Sequence, residues 1–473
     1  MSVAAPASTT PTLGFSTLER ETTIDELELS GELPAWLEGS LLRTGPARFE
    51  VGEQRMRHWF DGLAMLHRFS IDAGRVSYGN RYLHSRAYRA ASERGEIAYS
   101  EFATDPCRSL FKRVQTMFAP GATITDNANV NVARLGERYL AMTETPMPVR
   151  FDPHTLQSAR VPELAAPGEL ASAHPHLERS SGGMLNYAAH LGPRSSYRFY
   201  TLAPQEGAKA VTVASLPVRE PAYMHSFGLT ERFIVLAEFP LLVNPLRLAL
   251  AGRPYIENYR WRPERGTRFT LIDRTSGEAS ASYRAEACFA FHHVNAFEQD
   301  GAVIVDVCAY PDAQVIDDLY LERLRAGKPV AAAALTRFSL DPASSDVQAE
   351  RLCDGDLELP RINYSRCHER PYRYVWGNGL GPSGFLERIV KVDIAERSER
   401  AFGEDGCYPG EPVFVARPAS TEEDDGVLLS VVLDARAGNS MLLVLDAHDL
   451  HELARAQVPH HIPFGFHGQF ARA

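Results

Sequence analysis

The chain has 473 residues, of which 44% are hydrophobic, 10% aromatic and 23% charged. That balance belongs to a folded globular protein and excludes disorder, collagen and coiled coil. Forty-nine basic against 60 acidic residues leave a net charge of −11, which argues against a broad nucleic-acid footprint.

The leading residues, MSVAAPASTTPTLGFST, contain neither the basic nor the apolar region of a secretory signal. They read as a disordered leader over 1–22, with one folded domain over 23–473. ELPAWLEGS, SLFKRVQTMF and VIDDLYLERLRAG are short helical candidates in chain order. The remainder is dominated by alternating apolar runs with polar turns, the mark of β-strands. The most apolar stretch, Phe239 to Tyr255, is broken by Asn244, Pro245 and Arg247 and is too short to span a bilayer. A cytoplasmic protein is expected, at most peripheral on the inner face of a membrane. Cys107, Cys288, Cys308, Cys353, Cys367 and Cys407 form no C-x-x-C pair and read as free thiols in a reducing compartment.

A repeat emerges when the strand-like runs are aligned: a strand, an Asp or a turn, then a second strand. It recurs around Asp72, Asp152, Pro204, Asp273, Asp341, Asp393 and Asp446. The spacing averages about 62 residues, room for one four-stranded sheet per unit. No Pro/Gly/Ser linker divides the array. The expected fold is all-β, a seven-bladed propeller with loops and helices (84–125 and 239–265 among them) capping one face as a dome.

Four of the 16 histidines stand out by position: His174 in SAHPH, His225 in YMHSFGLT, His292 in FHHVN and His467 in PFGFHGQF. His225 lies 48 residues before Asp273, and His292 lies 49 before Asp341. They occupy equivalent places in successive units, and such places converge on a propeller's axis. Imidazole suits Fe, Zn, Cu and Ni, so the cluster points to a metal. A ligating imidazole normally donates its other N–H to a carboxylate or carbonyl. Glu144, Glu358 and Glu411 lie in strand-like settings where burial would need such a reason. Read alone, each is better taken as a surface acid. No dinucleotide or P-loop fingerprint is present.

Taken in order, GSLLRTGP (39–46), HWFDGLAMLHRF (58–69), TDNANVNV (125–132), MTET (142–145), AHPH (173–176), MHSFGLT (224–230), FHHVNAFE (291–298), LPRINY (359–364), EPVFV (411–415), EEDDGVLLSVVLD (422–434) and FHGQF (466–470) resemble the carotenoid cleavage oxygenases. The likeness is to the branch with the animal β-carotene oxygenases and the retinal pigment epithelium isomerohydrolase, in a chain of bacterial composition. It runs from about Gly31 to the C-terminus. It implies a seven-bladed propeller and one non-haem Fe(II) per chain held by His174, His225, His292 and His467, with no organic cofactor. It also implies that Glu144, Glu358 and Glu411 partner those histidines, and that Phe102 and Thr143 lie near the iron in the substrate pocket. His176 and His293 are expected to be structural neighbours. The implied reaction is oxidative cleavage of a carotenoid or apocarotenoid C=C bond by O2, giving two aldehydes such as retinal.

The same resemblance suggests peripheral membrane contact through 109–120 and 239–250, where an apolar polyene would be collected. It also pairs Cys107 with an acylatable cysteine of animal members, although the bacterial composition speaks against acylation. Three alternatives share the fold: stilbene cleavage, retinyl-ester isomerohydrolysis and metal-free protein binding. Stilbene-cleaving members carry Lys where this chain has Thr143.

Overall fold

The structure, a computed structural model, describes residues 10–106, 124–159, 166–179, 181–250, 252–341 and 346–472. The helical candidate at 109–118, the apolar segment 109–120 and Cys107 lie outside them. Seven antiparallel sheets of four to six strands follow one another along the chain, with two additional two-stranded pairs. Each sheet packs against its neighbours, so the seven form the blades of a propeller.

The aligned repeat marks correspond to one hairpin per blade, the one leading into an outer strand. Asp152, Asp273, Asp393 and Asp446 each turn their carboxylate onto two backbone N–H groups just ahead, as in Asp273 Oδ1 with Thr275 and Ser276 at 3.0 and 3.1 Å. This Asx turn is why Asp recurs there. The strands before such turns are buried on both faces where adjacent blades cover them, as in Asn439–Asp446 with its apolar run 441–445. Outer strands such as Ser398–Phe402 are largely exposed and polar.

The ring is closed by both ends of the chain. Gly468–Arg472 is the innermost strand of the first blade, paired antiparallel with Gly39–Arg48 from Gly39↔Arg472 to Arg43↔Gly468. Reciprocally, Glu28–Gly31 is the outermost strand of the seventh blade, paired with Glu452–Val458.

Three expectations need correction. The leader is packed from Pro11 onward: Pro11–Phe15 is a 3-10 helix, and the wholly buried Phe15 ring lies edge-on to Trp59, Phe385 and Phe464. These partners are remote in sequence, so local polarity does not reveal the anchor. ELPAWLEGS is not helical: Leu37 N–H bonds the Pro34 carbonyl in a turn leading into strand Gly39–Arg48. Within 239–250, Phe239, Leu241 and Val243 are buried, and Leu241–Val243 pairs with Tyr259–Trp261. Only the following helix, Pro245–Leu250, presents an apolar side chain outward, Leu246 at 62% exposure.

VIDDLYLERLRAG does form two short helices, Gln314–Asp318 and Leu321–Arg325. A further helix, Arg86–Arg94, is capped by Ser85 Oγ accepting from Tyr88 N–H and by Gly95 at φ 63°. Among the described residues no helix is long and apolar enough to cross a membrane. Cys288, Cys308, Cys353, Cys367 and Cys407 are free thiols.

Candidate metal centre

Blade geometry brings the four histidines together. His225, His292 and His467 stand one to three residues ahead of the innermost strands Gly228–Leu229, His293–Gln299 and Gly468–Arg472. His174 stands two residues ahead of His176–Leu177. The corresponding place in the sixth blade holds Glu358, first residue of Glu358–Arg361, and in the seventh Glu411, just before Val413–Ala416. In the second it holds Val130, whose carbonyl accepts from His467 N–H. One structural position, repeated around the ring, thus supplies four imidazoles, two carboxylates and one aliphatic side chain. Glu144 comes from elsewhere, the loop after Arg138–Met142.

One nitrogen from each of His174, His225, His292 and His467 lies within 4.8 Å of those of the other three. His174 Nε2 is 2.9 Å from His225 Nε2, and His292 Nε2 is 3.1 Å from His467 Nε2. The Nδ1 atoms of three rings meet carboxylates: His225 with Glu144 at 2.6 Å, His292 with Glu358 at 2.5 Å and His467 with Glu411 at 2.7 Å. No carboxylate partners His174 among the described residues. Its main-chain N–H bonds Ser172 Oγ at 3.0 Å.

Proton placement follows from these contacts. Burial pushes the Glu358 and Glu411 carboxyls up, but the contacts around them prevail and hold both below the usual carboxylate range. For Glu358 these are led by His292; for Glu411, by Arg361 and then His467. Ionised, they only accept, so Nδ1 of His292 and of His467 must donate. A donating Nδ1 leaves Nε2 bare when the imidazole is neutral, the form in which it binds a metal. Burial also lowers His174 well below the ordinary imidazole value, with His467 and His225 adding to the effect, and brings His467 down to about 4. Two bare lone pairs 3.1 Å apart repel unless a cation lies between them. Two imidazole nitrogens bound at right angles, each about 2.1 Å from an ion, stand about 3.0 Å apart. The donor set and its spacing therefore fit a metal ion.

Each carboxylate is held in turn by a residue that sequence reasoning missed. Tyr223 O–H donates to Glu144 Oε1 at 2.6 Å, and Tyr310 O–H to Glu358 Oε1 at 3.0 Å. Arg361 Nη2 donates to Glu411 Oε2 at 2.9 Å. Backbone N–H groups of Leu359 and Gly468 complete Glu358 and Glu411.

Two cavities reach the cluster. An apolar one of about 720 Å³, counting its open mouth, is walled near the histidines by Trp59, Phe60, Phe291 and Phe466 and farther out by Val330, Phe385 and Leu386. The other follows the propeller axis along the innermost strands and reaches His174, His292 and His467. Phe102 and Thr143 do not line the apolar cavity. The Phe102 ring packs behind it, 5.0 Å from Phe60 and 5.9 Å from Tyr223, while Thr143 is buried beside Glu144. His176 and His293 are held outside the cluster: His176 Nε2 meets the Phe227 carbonyl at 2.9 Å, and His293 Nδ1 meets Ser226 Oγ at 2.9 Å. The aromatic wall had a sequence signal, since Phe291 and Phe466 directly precede His292 and His467.

A family model described as retinal pigment epithelial membrane protein matches residues 15–472. The mitochondrial carotenoid-cleaving dioxygenase of Macaca fascicularis is 34% identical over 511 residues, covering 93% of this chain and 90% of that protein. The beta,beta-carotene 15,15'-dioxygenase of Homo sapiens is 33% identical over 504 residues, covering 94% and 91%. The crystal structure of cobalt-substituted Synechocystis ACO, an apocarotenoid oxygenase, superposes with a TM-score of 0.85 at 27% identity, covering 98% of this chain and 99% of that one.

Proposed function

Since the chain belongs to the retinal pigment epithelial membrane protein family of carotenoid oxygenases and is a dioxygenase, we propose that it cleaves a C=C bond of a carotenoid or apocarotenoid with O2, on a non-haem Fe(II) held by His174, His225, His292 and His467. The observation that carries this reading is the convergence of four imidazoles, with the Nε2 atoms of His292 and His467 3.1 Å apart, beside an apolar, aromatic-walled cavity. Iron(II) held by imidazoles supplies the redox chemistry by which O2 attacks an alkene.

The chain's own residues do the remainder. Glu144, Glu358 and Glu411 hold three Nδ1–H groups, which fixes the ring tautomers and offsets the charge of the ion. Trp59, Phe60, Phe291 and Phe466 exclude water and present ring faces to a polyene that becomes electron-poor as it is oxidised. Converting one C=C to two C=O removes four electrons from the alkene, and O2 accepts four, so no reductant is needed. Peripheral contact with the membrane that carries the polyene belongs to the same proposal, with support from the exposed Leu246 on helix Pro245–Leu250.

The test combines metal analysis of purified protein with incubation against carotenoids, apocarotenals and stilbenes. Stoichiometric iron is expected, with aldehyde products and one O2 consumed per bond cut. Protein without iron, or one that cuts only phenolic stilbenes, would overturn the reading. The matched relatives are named for carotenoids and give the stilbene alternative no support.

A further inference from the structure

Arg361 ends the strand that Glu358 begins, so one four-residue strand serves two histidine limbs. Its Nη2 donates to Glu411 Oε2 at 2.9 Å and to the Gly468 carbonyl. Its Nε lies 2.8 Å from Glu411 Oε1, without hydrogen-bond alignment. The Glu411 side chain is 1% exposed and that of Arg361 20%. The other buried guanidinium nearby, Arg43, donates to the main-chain carbonyls of Glu411 and Phe466 and not to the carboxylate. Among the described residues Arg361 is therefore the only Arg or Lys on the Glu411 carboxylate. The other two glutamates receive the single rotatable O–H of a neutral phenol instead, whereas Arg361 brings a charged planar group whose Nη2 holds the carboxylate and, at the same time, the Gly468 carbonyl next to His467.

We propose that Arg361 is a positioning residue for the metal centre. It fixes the Glu411 carboxylate across the seam where the sixth, seventh and first blades meet, and through Glu411 it aims His467 Nε2 at the ion. The inference rests on the reading of the four histidines as metal ligands.

Arg361 has two possible effects on a bound cation, and they have opposite signs. As a positive charge it repels the ion, so its removal strengthens binding. As a positioner it orders a ligand, so its removal weakens binding. The experiment measures Co(II) and Fe(II) affinity of metal-stripped protein by chelator competition, with thermal unfolding of the stripped form in parallel. Arg361→Gln is expected to bind either metal roughly 10–100-fold more weakly. Arg361→Lys keeps the charge but not the planar group that holds Glu411 and the Gly468 carbonyl together, and is expected to show a smaller loss. Glu411→Gln is expected to abolish most of the further effect of Arg361→Gln, because the two act in series.

Arg361→Gln binding as tightly as wild type or tighter would overturn the proposal. So would wild-type affinity in Arg361→Lys, or additive losses in the double variant. If Arg361→Gln does not fold, Arg361→Lys and its double variant with Glu411→Gln decide by the same criteria. Wild-type protein that binds neither metal would instead overturn the ligand assignment itself, an outcome distinct from intact wild-type binding with unaffected variants.

Discussion

Replacing Glu358 separates the charge of a carboxylate from its hydrogen bonds. Glu358 Oε2 accepts from His292 Nδ1 at 2.5 Å and from Leu359 N–H at 2.6 Å, while Oε1 accepts from Tyr310 O–H at 3.0 Å. In Glu358→Gln the amide oxygen can take both donors at the first position, and the amide NH2 can donate to the Tyr310 oxygen once that hydroxyl turns. Every hydrogen-bonding group keeps a partner and only the charge is lost. The metal-stripped protein should then unfold near wild-type conditions, while metal affinity falls about 10–100-fold, or about 1.4–2.8 kcal/mol. Glu358→Ala instead strands three buried donors at about 1–3 kcal/mol each, so its stripped form should lose about 3–9 kcal/mol of stability. Chelator competition for metal and denaturant unfolding of the stripped forms give the two numbers separately. Equal stability of the Gln and Ala proteins, or wild-type metal affinity in both, would refute the reasoning.

Other outcomes follow from the same geometry. Each of His174→Ala, His225→Ala, His292→Ala and His467→Ala should lose stoichiometric metal and all cleavage, and full retention of both by any one would break the ligand set. Burial holds the pKa of His58 and of His67 down to about 3. The unfolded chain therefore takes up protons from about pH 6.5 downward while the folded one does not, and each residue removes up to about 1.4 kcal/mol per pH unit until about pH 3. Thermal unfolding of stripped protein from pH 8 to 4 should show falling stability below about pH 6.5, and a flat profile would contradict it. Lys391 Nζ and Asp424 Oδ2 pair at 2.5 Å with side chains only 6% and 8% exposed. Asp424→Asn should cost about 3–5 kcal/mol by leaving a buried ammonium uncompensated. A loss under about 1 kcal/mol in denaturant unfolding would show the pair to be dispensable.

The propeller was legible because four of its seven blades write the outer turn in local chemistry, the Asx turns at Asp152, Asp273, Asp393 and Asp446. Pro204 lacks that carboxylate yet keeps the place. His225 and His292 were legible because the inner-strand position recurs at a near-constant offset. Tyr223, Tyr310 and Arg361 escaped notice because each meets its glutamate across 48 to 79 residues, with no periodicity to mark the pair. Phe102 matched a pocket position by motif, but the structure sets Phe60 between it and the histidines' cavity. The packing of Phe15 was invisible for the reason that hides most anchors: its partners at 385 and 464 lie at the other end of the chain.

The double clasp of the ring bears on how the protein is made. His467 lies one residue before the closing strand and 175 residues after His292. At translation speeds of 5–20 residues per second, three histidines wait on the order of 10–35 s for the fourth. A nascent or prematurely terminated chain can fold its middle blades and carry those three, but it lacks the ligand that shares the seam. The four-histidine centre is thereby completed only once synthesis has passed residue 472 and the closing strand can pair with Gly39–Arg48.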